Sequence, residues 1–98
     1  MSARDVTRTG QEITFEEDRR ESNSRAFVVW GEVSWSADIP SGFVFGVAET
    51  QDGEQLGLSR LISIRETKAG RKRRIRAVFE DLKNVTVDVV RAVYFEAL

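Results

Sequence analysis

The stretch Phe27-Val28-Val29-Trp30-Gly31-Glu32-Val33-Ser34-Trp35 decides the fold. Phe27, Val29, Val33 and Trp35 share one parity with Gly31, against Val28, Trp30, Glu32 and Ser34 on the other. In an extended chain successive side chains point to opposite faces of a sheet. Apolar residues recurring every second position therefore mark a half-buried strand. The same period continues outward. Phe43, Phe45 and Val47 alternate with Val44, Gly46 and Ala48, and Leu56, Leu58, Ile62 and Ile64 hold one parity. Ile75, Ala77 and Phe79 alternate with Arg74, Arg76 and Glu80.

The punctuation between these runs is that of hairpins. Ile39-Pro40-Ser41-Gly42, Gln51-Asp52-Gly53-Glu54, Lys68-Ala69-Gly70-Arg71 and Asp81-Leu82-Lys83-Asn84 each read as turns, with Asp52-Gly53 the strongest hairpin signal. The predicted strands are 12–17, 26–35, 42–50, 55–66, 72–80 and 85–96, the fourth splitting near Ser59-Arg60 to give seven. Gly31 and Gly46, inside strands, predict bulges or close backbone approaches. Short strands with frequent turns predict an all-β domain, an immunoglobulin-like antiparallel β-sandwich of six to seven strands. The alternatives are a small β-barrel, or an α+β domain with a C-terminal helix. The helix would set Leu82, Val85, Val89, Val93 and Ala97 on one stripe behind an Asn84 cap. Val85, Thr86, Val87, Val89, Val90 and Val93 are all β-branched, however, which favours a strand.

Composition bounds the chemistry. The chain has 98 residues, enough for one domain, here 11–98 behind a flexible 1–10. It has no His and no Cys. Ser-His-Asp and Cys-His nucleophile systems, thiolate metal sites and disulfides are therefore excluded. Carboxylates cluster at Glu49, Asp52 and Glu54 and at Glu80 and Asp81, positions where turns are acidic for solubility and local hydrogen bonding. The expectation is a non-enzymatic domain with no cofactor and no metal. The longest apolar run, 26–30, is too short to span a bilayer, and no signal peptide is visible. The chain reads as cytoplasmic as written, and as extracytoplasmic if it is an excised or processed domain. In that second setting Asn84-Val85-Thr86 would be a glycosylation acceptor.

From Val29 to Phe95 the order of landmarks resembles the small immunoglobulin-like accessory domains of the FxLYD and CARDB type. The landmarks are Gly31-Glu32-Val33, then Val44–Ala48 running into Glu49-Thr50-Gln51-Asp52-Gly53. Ile62–Ile64, Ala69-Gly70-Arg71, Ile75–Phe79 and Val85–Phe95 complete them. Ser34 stands where that family usually has Asn, and Ala69-Gly70-Arg71 where it has Pro-Gly-Glu. The resemblance implies a structural, scaffold or protein-binding role and carries no catalytic residues.

Net charge is −1, which argues against a chain that coats nucleic acid. The charge is unevenly placed. Between Arg60 and Arg76 eight basic residues face Glu66 alone, a net of +7, which leaves −8 on the rest. Arg71, Lys72, Arg73, Arg74 and Arg76, at a hairpin mouth, could grip phosphates or an acidic protein surface. They could equally guard an edge strand or pair with Glu49, Glu54 and Glu80. Trp30 shares the outward parity of Glu32 and Ser34 and is expected to be partly exposed, either forming an apolar patch with Val28 and Val44 or covered by the N-terminal segment or the neighbouring strand; Tyr94 is the second aromatic expected outside. Trp30, Tyr94 and the five basic residues are the candidate partner-binding set. The partner class expected first is a protein, including a second copy of the chain, bound through a sheet face or an edge strand. Nucleic acid or another polyanion on the basic hairpin is second, and no membrane is expected.

Overall fold

The computed structural model describes residues 11–82 and 85–97. The expected flexible 1–10 and the Asn84 of the glycosylation acceptor lie outside them. Seven strands follow in chain order: β1 Gln11–Ser22, β2 Phe27–Ser34, β3 Gly42–Glu49, β4 Gln55–Leu58, β5 Ile62–Ile64, β6 Arg73–Phe79 and β7 Val89–Glu96. The domain is all-β: an antiparallel sheet in the order β4-β3-β7-β1-β2-β6, with β5 also on β3, curled into a half-barrel.

The curl closes on the apolar parity of each strand. Val33, Trp35, Val44, Ile64, Ile75 and Tyr94 fill one end. Phe27, Val29, Ala48, Ala77, Phe79 and Leu82 fill the other. Strands β2 and β6 thus pack across the core from β3 and β7. Strand β3 is buried on both faces, because Phe45 and Val47 pack with Val93, Leu58 and Phe95 on the side away from the main core. A continuous apolar run is what a strand covered on both faces requires. Gly46 permits close packing: a methyl there would lie 2.8 Å from the Phe79 ring.

Two strands depart from the sequence expectation. β1 does not end at 17 but runs through the charged stretch to Ser22, because residues 14–22 pair along β2. Its first three residues pair instead with β7, so β1 joins the two halves of the curl. Its register slips between Glu17 and Arg19, leaving Asp18 as an extra, unpaired residue. The C-terminal segment is a strand, not a helix, although it begins at Val89 rather than 85. It pairs with β3 from Gly42↔Glu96 to Glu49↔Val89. The helical stripe fails because Val85 and Val89 are exposed while Leu82 is buried.

The break at Ser59-Arg60 falls where expected. Gly46 N–H donates to Ser59 Oγ (2.7 Å) and Ser59 N–H to Gly46 O (2.9 Å), holding Ser59 on β3. Arg60 N–H then crosses to β6, donating to Val78 O at 3.0 Å. The Asp-Gly turn has Gly53 at φ 87° with Gly53 N–H on Thr50 O (3.0 Å), and Gly70 turns at φ 79°. Both angles lie in the left-handed region that costs a side-chain-bearing residue.

Candidate functional site

The outward face of β1, β2 and β6 brings three of the candidate residues, Trp30, Arg74 and Arg76, together in rows set by register. Arg19, Trp30 and Arg76 form one row, Glu16, Glu32 and Arg74 the next, and Glu21, Val28 and Val78 the one on the other side. Trp30 is half-buried, as its parity predicts. The Arg19 guanidinium carbon stands 4.0 Å from the centroid of its ring, a cation–π contact. Arg76 lies directly opposite Trp30 on β6. Among the described residues no carboxylate lies within ion-pair distance of Arg19 or Arg76.

The basic run does not form a single cluster. Strand parity divides it. Lys72 and Arg74 turn to the outward face, where Lys72 Nζ lies 3.5 Å from Glu16 and Arg74 bonds Asp18. Arg73 turns the other way: its Nε donates to Thr67 Oγ1 (3.0 Å) and its NH2 to Glu66 O (3.2 Å). Thr67 is fully buried and donates in turn to Arg65 O (2.7 Å), so Arg73 ties β6 to the segment after β5. Arg71 is exposed before the strand begins. Of the acidic partners expected for the run, Glu80 does pair with Arg60. Glu49 instead accepts from Arg91 Nε (3.0 Å). The Arg60 guanidinium holds the Glu80 carboxyl below the usual carboxylate range.

Two expectations are corrected. Tyr94 is not an exposed contact residue: it is 2% exposed, edge-on to Trp35 at 5.5 Å, and its hydroxyl donates to Pro40 O at 2.7 Å. Burial raises its phenol pKa. Its register partner on β3 is Val44, a core residue, so Tyr94 points to the same inner face. The apolar patch of Trp30 with Val28 and Val44 is also absent. Val44 is fully buried, because β3 packs across the core from β2 instead of lying beside it.

Arg19, Asp18 and Glu16 were outside the candidate set. They belong to a strand without apolar alternation on this face, and only its pairing with β2 brings them to Trp30. Comparison with protein-family models, curated proteins and solved structures finds no match.

Proposed function

We propose that this domain is a non-enzymatic protein-interaction module that binds through the outward face of β1, β2 and β6. The observation that carries the reading is Trp30, half-buried at the centre of that face between Arg19 and Arg76. Tryptophan and arginine are enriched among the residues that dominate interface energetics. The outer face of a curled sheet is not concave, so it fits a macromolecular contact better than a small-molecule pocket. The absence of His and Cys from the sequence supports the non-enzymatic part of the reading. Packing of β2–β6 over β3–β7 supports an immunoglobulin-like arrangement, whose two sheets hold the corresponding pairs. The mixed charge of the face favours a protein over a polyanion, since Lys72 and Arg74 are already beside acidic residues.

A photo-crosslinking side chain placed at Trp30 tests the reading in the cells that make the protein. A defined protein adduct, a self-adduct included, that disappears with Arg19→Glu supports it. Adducts no stronger than those from a crosslinker at Asp52 refute it.

A further inference from the structure

We infer that the free edge of β6 accepts a short extended acidic segment of another protein, which adds to the sheet as an extra strand. The inference takes the protein-binding reading further but does not depend on Trp30.

The edge follows from one hydrogen bond. Val78 O accepts from Arg60 N–H, so it points away from β2. Backbone groups alternate in direction along an antiparallel strand. Those of Arg76 and Arg74 therefore point to the same open side. Among the described residues no backbone partner meets them there. The opening has two ends: Arg60 on Val78 closes one, and Arg73 on Glu66 and Thr67 closes the other. From Arg74 to Ala77 this leaves about 10 Å of strand, room for about three or four extended residues.

Charge selects the occupant. The side chains of Arg74 and Arg76 lie on the outward face beside this edge, both exposed; Arg74 already bonds Asp18, while Arg76 has no acidic partner among the described residues and is the main attraction for a carboxylate. A strand added here places every second side chain next to them, where carboxylates match. Its other side chains turn to the opposite face, the side of the buried Ile75 and Ala77, where apolar residues match. An alternation of acidic and apolar residues satisfies both sides. Main-chain pairing supplies affinity in this mode, and alternate side chains supply specificity. Basic residues on an edge also guard it against self-pairing. Both functions hold together, since like-charged edges repel each other but attract an acidic strand.

The test titrates the full chain at low salt with a capped peptide of alternating valine and glutamate, and reads amide exchange and chemical shifts by NMR. The expected result is slowed exchange at the Arg74 and Arg76 amides, with binding that weakens as salt rises. The same peptide with lysine in place of glutamate should not bind. Combined Arg74→Glu and Arg76→Glu should reduce affinity by about tenfold or more. Arg76→Pro removes one edge donor, at a position where an edge strand tolerates proline, and should also reduce binding; if it fails to fold, the charge reversal still decides. Unchanged exchange at these two amides refutes the inference and leaves the arginines as guards alone. Tighter binding of a single-stranded oligonucleotide at the same residues, without amide protection, also refutes it. Trp30→Ala separates the two readings: peptide binding that survives it while the Trp30 crosslink is absent leaves the edge standing and the face reading refuted.

Discussion

Arg74 and Asp18 bond to each other across a strand to which neither belongs. Arg74 lies on β6 and Asp18 on β1, with β2 between them. Asp18 is the extra residue of the β1 bulge, with no partner of its own on β2. A bulge re-aims side chains, and here it accompanies a contact that a regular ladder would not make. The pair, with Lys72 and Glu16 beside it, ties the acidic edge of this half of the sheet to its basic edge.

Removing the pair should cost little. Its side chains are 60% and 42% exposed, so Asp18→Ala should lower stability by less than about 1 kcal/mol in urea titration. The difference from the parent chain should shrink further as salt rises.

The core should be far less tolerant. Phe79 is fully buried against Phe27, with ring centroids 5.7 Å apart. Phe79→Ala should destabilise by about 3–5 kcal/mol, a large share of the total for a domain of this size. Gly46→Ala should also destabilise, by about 1–3 kcal/mol, since its methyl would meet that ring. Denaturant midpoints measure both.

The two tryptophans should separate by quenching. In Trp30→Phe the remaining Trp35, 4% exposed, should emit at short wavelength and resist acrylamide. In Trp35→Phe the remaining Trp30 should be quenched more readily, its emission shifted to the red.

Acid should loosen the turn at 68–70. Asp38 accepts from Ala69 N–H (2.8 Å), with Lys68 Nζ at 3.4 Å, and these contacts, the backbone bond first, lower its pKa below the ordinary 3.8. A carboxyl depressed in the folded state stabilises fully above its unfolded pKa, and that contribution is lost as pH falls through the folded value. Stability should therefore drop below about pH 4, and Asp38→Asn should flatten that drop. Unfolding midpoints between pH 2 and 6 test this, with about pH 4 the decisive region.

Alkali should act on the single tyrosine. Burial raises the Tyr94 pKa above the ordinary 10.0. An acid whose folded pKa is raised contributes stability below its unfolded pKa and loses it as pH rises through the folded one. Tyrosinate absorbance should therefore appear later than in a free peptide and coincide with loss of structure. Tyr94→Phe, which deletes the bond to Pro40 O, should cost about 0.5–1.5 kcal/mol at neutral pH.

The sequence by itself determined the strands that have an apolar parity, the turns between them, and the outward aim of Trp30. Burial is local in such strands: a side chain's face follows from odd or even position, and Asp52-Gly53 turns for conformational reasons internal to the turn. The β-branched residues of the C-terminal segment favoured strand over helix on the same local grounds, and pairing with β3 decided it. Tertiary structure decided what depends on neighbours. Strand β1 extends through Glu16–Glu21 because β2 pairs with it, and no apolar period announces that. Tyr94 is buried and Val44 stands away from Trp30 because β7 and β3 pack across the core, and parity says nothing of which strand lies beside which. The basic run looked like one cluster in the chain and became two. The same parity rule that placed Trp30 sent Arg73 to Thr67 and Arg74 to Asp18, but those partners lie 6 and 56 residues away. Only the folded sheet brings them within reach.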